Sequence, residues 1–207
     1  MRPLPRLHAV TDGGVLGADD FPVRAAAIAS AGSAVALHAR DRSAGGAALA
    51  GVARRLLALA RPPEAAVVVN GRPDVAQAVG AQGVQLGAGD LRPGEARASF
   101  PRGWIGRSVH SIAEAEAAAR EGADYLLVGS IYETSSHPGR PPAEAGLVRE
   151  AAAIGLPVIA IGGMNAERAA EVRDQGAYGV AAISALWWAP DPAAAALALL
   201  APWSEEP

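Results

Sequence analysis

The 207-residue chain contains no cysteine and no lysine. The first absence excludes disulfides, thiolate zinc sites and cysteine nucleophiles. The second excludes Schiff-base chemistry and lysine general acids, and a GC-rich coding bias is enough to explain it. All 18 basic residues are therefore arginines. Aromatic residues make up only 4% of a chain that is 51% hydrophobic, so the core must be built from Ala, Val, Ile and Leu. Side chains of that kind suit the interior of an α/β barrel. A net charge of −3 argues against a general nucleic-acid or membrane-surface binder. No apolar stretch reaches the roughly 18 residues of a membrane span, and Met1-Arg-Pro-Leu-Pro5 lacks the apolar run of a signal peptide. The chain is expected to be soluble and cytoplasmic, with neither nucleic acid nor membrane as partner.

What is present is a series of short apolar runs: Leu7–Val10, Ala34–Ala39, Ala65–Val69, Gly83–Leu86, Trp104–Val109, Tyr125–Ile131, Pro157–Ile161 and Gly179–Ile183. Helical patterns separate most of them. Ser111 opens one such pattern and Gly122 ends it; Asn165 and Gly176 punctuate another in the same way. Strands alternating with helices give a parallel sheet, and eight of them predict a single-domain (β/α)8 TIM barrel over residues 1–207. The segment 71–82 allows only a short helix, and another brief helix is expected near Pro93. The tail from Ala201 to Pro207 is expected to fray. A breaker-rich loop from Glu133 to Ala145 is a candidate lid.

In such barrels the active site lies at the C-terminal ends of the strands. The run ends supply Thr11 and Asp12, His38 and Arg40, Asn70, Ser108 and His110, Ser130 to Thr134, Gly162 and Gly163, and Ser184. Val158-Ile-Ala-Ile-Gly-Gly163 and Gly179-Val-Ala-Ala-Ile-Ser184 each end in small or hydroxyl residues before a helical pattern. Their backbone N–H groups form a candidate phosphate site at Gly162, Gly163, Ile183 and Ser184. Period-two alternation puts His38 and Arg40 on one strand face, and Ser108 and His110 on another. The Arg40 fork suits a carboxylate or a phosphate. His8, near the start of its strand, is expected to be structural.

Leu7-His-Ala-Val-Thr-Asp12, His38-Ala-Arg-Asp-Arg42, Gly83-Val-Gln-Leu86, Gly106-Arg-Ser-Val-His-Ser111, Ala123-Asp-Tyr125 and Ala160-Ile-Gly-Gly-Met164 occur in this order. In that order they resemble the thiamine phosphate synthase/TenI superfamily over roughly Leu7 to Leu200. The resemblance implies a (β/α)8 barrel acting in thiamin biosynthesis on a thiazole phosphate. The superfamily holds two activities. The synthase joins a pyrimidine pyrophosphate to the thiazole phosphate, with Mg²⁺ held by two aspartates; here the first is replaced by Gly71 and the second is Asp90. A lysine of its strand-six loop is replaced by His137, and its Gln-Leu-Arg-Glu-Lys run is His38-Ala-Arg-Asp-Arg42.

Asn70-Gly71-Arg72, Gly106-Arg-Ser-Val-His110 and Tyr132-Glu-Thr134 are similar instead to TenI, the thiazole tautomerase. It aromatises a dihydrothiazole carboxylate phosphate by proton transfer, with no metal and no organic cofactor. The expectation is therefore a cofactor-independent isomerase. Arg40, Asn70, Ser108, Thr134 and Ser136 would bind substrate. His38, His137, His110 and Ser130 are the candidate catalytic residues, because the strand-six histidine of the tautomerase is Ser130 here. His38 is expected to carry the proton, with His137 next. Two alternatives stay open: a thiamine phosphate synthase with an altered metal site, and a non-catalytic thiazole-phosphate-binding or regulatory protein. A homodimer is the superfamily's expectation.

Overall fold

The computed structural model describes residues 3–133, 143 and 146–204. Eight strands, β1 (Leu7–Val10), β2 (Val35–Ala39), β3 (Ala66–Asn70), β4 (Gly83–Leu86), β5 (Trp104–Val109), β6 (Tyr125–Gly129), β7 (Val158–Ile161) and β8 (Gly179–Ala182), close into a barrel in chain order. Every neighbouring pair is parallel, and β8 returns to β1 with Leu7 opposite Val180. The expected (β/α)8 barrel is the observed fold.

Two apolar layers follow from the alternation of side chains along each strand. Val10, Ala36, Ala66, Val68, Trp104, Tyr125, Leu127, Ile159 and Ala181 pack inside the barrel. Residues of opposite parity, such as Leu7, Leu37, Val67, Val84, Ile105 and Leu126, pack outward against the helices. The inner layer holds two large aromatics, and it has room for them because Gly106 lacks a side chain. A Cβ there would lie 2.2 Å from the Tyr125 ring.

The helices are α1 (Gly13–Leu16), α2 (Phe21–Ala29), α3 (Gly46–Ala60), α4 (Pro73–Val79), α5 (Pro93–Ser99), α6 (Ile112–Arg120), α7 (Leu147–Ala152), α8 (Ala166–Asp174), α9 (Ser184–Trp187) and α10 (Pro192–Leu200). Leu49, Ala53, Leu56 and Ala60 recur at helical spacing on α3 and are the residues it buries. Each buried leucine of this kind contributes about 1.5–3 kcal/mol. Ser111 caps α6 by accepting from the Glu114 amide, and Asn165 caps α8 by accepting from that of Arg168. None of the described helices is long and apolar enough to cross a membrane.

The strand ends differ from expectation in particular places. β3 runs through Asn70, one residue past its apolar run, because Asn70 still pairs with Gln85. β6 stops at Gly129, two residues before its run ends. Within the tail, Ala201–Trp203 form a 3-10 turn, and buried Trp203 donates its indole N–H to the Ala177 carbonyl at 3.2 Å, while residues 205–207 lie outside the described residues. Most of the candidate lid, including Thr134, Ser136 and His137, lies outside the described residues.

Candidate active site

A cavity of about 620 Å³ opens at the C-terminal ends of the strands. Its apolar floor is Val10, Leu127, Ile161 and Ala181. The polar groups of its rim divide between two sides of the barrel mouth.

On one side lie the loops after β7 and β8. Gly162 and Gly163 have φ of 105° and 63°, conformations that disfavour any side chain. A Cβ on Gly163 would also fall 2.5 Å from the Glu133 carbonyl oxygen, and one on Gly162 would fall 2.7 Å from the Ser130 Cβ. Arg168 ties the loop by donating to the Gly163 carbonyl at 2.5 Å. Among the described residues, the main-chain N–H groups of Gly163 and Ser184 donate to no protein acceptor. Ile183, Ser184 and Ala185 complete this rim. Unengaged amides beside glycines make an anion cradle.

On the opposite side the chain places its charged groups. Arg40 follows β2 and is half-buried. Its amide donates to Thr11 Oγ1 at 2.9 Å, and that hydroxyl lies within 2.8 and 2.9 Å of the His38 and Arg40 carbonyls. Buried Thr11 thus fixes the backbone from which Arg40 projects. Desolvation, with Arg42 beside it, lowers the guanidinium pKa, while Asp12 raises it; an arginine nonetheless stays cationic. Arg72 forms a two-pronged pair with Asp74 at 2.8 and 2.5 Å. Asp41 and Arg42 line the same side.

Asp90 stands at the rim, accepting from the Gly87 amide at 2.7 Å. Its two oxygens lie 3.2 and 3.4 Å from the position a Gly71 Cβ would take. The two aspartates that the resemblance implies would converge at this spot; here Asp90 faces Gly71. Among the described residues no group of three His, Cys, Asp or Glu side chains could cage a metal ion. A magnesium ion needs no such cage when it arrives with a pyrophosphate, since phosphate oxygens and water fill most of its octahedron around one or two carboxylates. The residues therefore fit a substrate-borne cation held by Asp90, and do not fit one bound in advance by the protein.

The histidines fall differently from expectation. His38 shares the inward face of β2 with Arg40 but lies one layer deeper, fully buried beneath the cavity. Its Nε2 is 2.8 Å from His8 Nδ1 and its Nδ1 is 3.0 Å from Asn70. Burial, with His8 and Arg40 acting in the same direction, holds its pKa well below the ordinary histidine value. The expectation that His38 carries a proton to and from substrate fails, because no substrate atom can reach it. His8, expected to be structural, is likewise fully buried; desolvation lowers its pKa to about 4 against the raising effect of a bond to Pro5.

Among the described residues, His110 is the histidine that lines the cavity. Its Nδ1 bonds to the Gly129 carbonyl, so it carries the hydrogen there and leaves Nε2 as the free nitrogen. Ser130, Ser108 and Asn70 also line the cavity. The sequence reading missed Gln85 as a site residue. It is an inward polar side chain between Gly83 and Gly87, donates to Ser108 at 3.0 Å, and leaves its Oε1 without a partner. A polar residue in the middle of an otherwise apolar strand was the available signal. Arg42 and Arg72 were overlooked too, although both lie within motifs noted above.

Residues 7–186 match the family model described as thiamine monophosphate synthase. The thiamine-phosphate synthase of Methanoregula boonei is 42% identical over 193 residues, covering 92% of this chain and 89% of that protein. The thiamine-phosphate synthase of Thermus thermophilus is 46% identical over 147 residues, covering 70% of this chain and 71% of that one. Among solved structures, the thiamine phosphate pyrophosphorylase of Pyrococcus furiosus superposes with a TM-score of 0.80 at 33% identity, covering 97% and 96% of the two chains. These likenesses overturn the tautomerase expectation. Relatives this similar over this much of the chain are synthases, and the local matches that favoured an isomerase do not outweigh them. The chain belongs to the thiamine monophosphate synthase family.

Proposed function

We propose that the protein is a thiamine-phosphate synthase, a transferase that joins a pyrimidine carried on pyrophosphate to a thiazole phosphate. The observation that carries this reading is the division of the cavity into two anion sites with an apolar floor between them, in a chain 42% identical to a synthase. Two held anions alone would also suit a thiazole bearing a phosphate and a carboxylate, and the identity to a synthase favours the pyrophosphate.

The amides of Gly163 and Ser184 would hold the thiazole phosphate, and Arg40, with Arg42 and Arg72 near it, would face the pyrophosphate. Val10, Leu127, Ile161 and Ala181 give the two rings a dry floor. Holding both rings in one cavity makes the encounter effectively unimolecular. The thiazole nitrogen then forms the new C–N bond as the C–O bond to pyrophosphate breaks. The nitrogen becomes a cation and pyrophosphate leaves with the bonding pair. A divalent cation held by Asp90 would supply charge neutralisation at the departing pyrophosphate. No proton is exchanged between protein and substrate in this displacement. Ser130, unable to titrate near neutrality, is therefore no defect.

The test is formation of thiamine phosphate from the two half-substrates with Mg²⁺, followed by oxidation to fluorescent thiochrome phosphate. Product above the uncatalysed rate is expected. Binding of thiazole phosphate without product would overturn the reading and leave a phosphate-binding protein.

A further inference from the structure

Beneath the cavity three contacts run in series: the Pro5 carbonyl to His8 Nε2 at 3.0 Å, His8 Nδ1 to His38 Nε2 at 2.8 Å, and His38 Nδ1 to the Asn70 amide at 3.0 Å. Both imidazoles are wholly buried, and the nearby charged group acting on His38 is the cation Arg40. Two neutral rings carry two N–H hydrogens between them. The Pro5 carbonyl can only accept, so His8 must bear its hydrogen on Nε2. His8 Nδ1 is then a lone pair, and His38 must donate to it from Nε2. His38 Nδ1 is left as a second lone pair facing Asn70.

A carbonyl oxygen opposite that lone pair would place two acceptors 3.0 Å apart. The alternative, a third hydrogen on the pair, would bury an imidazolium beside an arginine without a carboxylate. Turning the Asn70 amide by half a rotation removes the conflict, and the oxygen and nitrogen of an amide are nearly identical in shape. The NH₂ group then donates to His38, and the oxygen turns towards the cavity that Asn70 lines.

We propose that the buried His8–His38 pair is a positioning device that fixes the Asn70 carbonyl oxygen towards the cavity, where it accepts from an amino-substituted ring and disfavours the oxo-substituted ring of the same shape. The proposal rests on the synthase reading only in taking that ring to be the aminopyrimidine half of the product. A relay of this kind selects between rings without touching either, because it removes the freedom of an amide to present whichever end suits.

Long-range ¹H–¹⁵N spectra of the labelled, ligand-free protein at neutral pH read the hydrogens directly. Both rings are expected neutral with the hydrogen on Nε2. A hydrogen on His38 Nδ1, or a doubly protonated ring, would overturn the proposal. Calorimetric binding of the 4-amino and 4-oxo pyrimidine diphosphates reads the consequence. The native protein should favour the amino compound by about tenfold, the worth of one hydrogen bond. In His38→Leu the preference should shrink to within about twofold as Asn70 turns freely. Equal binding by the native protein, or an undiminished preference in the variant, would also overturn it. Should His38→Leu fail to fold, the spectra and the native preference still decide. Failure of the synthase reading alone would show as absent product with the hydrogen pattern intact.

Discussion

Replacing Gly71 by Asp puts back the carboxylate that this chain lacks, and its effects can be worked from geometry. The new Cβ would lie 3.2 and 3.4 Å from the two Asp90 oxygens, and the residue would have to keep a φ of 76°. The left-handed backbone costs about 1 kcal/mol, since Asp tolerates it better than most residues. Two carboxylates at roughly 4 Å repel by about 1 kcal/mol in water and about 4 kcal/mol at an effective dielectric of 20. Asp90 is exposed, so the lower end applies. The metal-free variant should be about 2 kcal/mol less stable than the parent. A divalent cation turns the same repulsion into attraction, so most of that loss should return on adding it. Titration with Mn²⁺ followed by electron paramagnetic resonance, with inorganic pyrophosphate present, measures the affinity. The variant should bind about tenfold to a hundredfold tighter, and its thermal midpoint should rise with Mg²⁺ more than the parent's. Equal Mn²⁺ affinity in the two proteins would refute the placing of the cation beside Asp90.

Two further outcomes follow from other parts of the site. Burial pushes the His8 pKa down to about 4 from the ordinary 6.5, so the unfolded chain binds more protons between those values. Its contribution is whole above pH 6.5 and is lost as the pH falls towards 4, about 3 kcal/mol in all, with His38 acting in the same direction. Urea unfolding at pH 7 and pH 4.5 should show this loss, and His8→Leu should flatten it; an equal pH slope in both proteins would contradict the burial argument. Gly163→Ala drives a Cβ to 2.5 Å from the Glu133 carbonyl, so the loop after β7 must shift. The KM for thiazole phosphate should rise at least about tenfold, the loss of a charge-assisted hydrogen bond, with affinity for pyrophosphate retained. An unchanged KM would remove Gly163 from the phosphate cradle.

The barrel was legible because each strand is a short apolar run with clear punctuation, and α6 and α8 have caps at Ser111 and Asn165 that could be read directly. Where strands end was less legible, since pairing, not apolarity, decides it. Asn70 continues β3 because Gln85 lies opposite, and that partner is 15 residues away. Depth within the barrel was not legible at all. Alternation correctly put His38 and Arg40 on one face, yet it could not tell which of them reaches the cavity. That depends on the stagger between strands, which sets His38 level with Val10 and Val68. A single strand carries no record of its neighbours' offset.

The site was legible in its parts and misjudged in its chemistry. Both turns of the proposed phosphate cradle, Arg40 and Asn70 were visible as polar or glycine residues at strand ends, and Asp90 came only from the family resemblance. The missing carboxylate at Gly71 and the serine at position 130 were also seen, and both were taken as losses. Whether they are losses depends on what the reaction asks of the protein. A tautomerase must move a proton, so a strand-six serine would disable it unless another group took over, and the structure buries the histidine that was to do so. A displacement by a ring nitrogen moves no proton. It asks for two held anions, a dry floor and relief of charge on the leaving group, and phosphate oxygens can complete a cation shell around one carboxylate. Under those requirements Ser130 is neutral and Gly71 weakens only the capture of a bare ion. Ser130, which argued against an active tautomerase, and Gly71, which argued against the synthase, are both compatible with a working synthase.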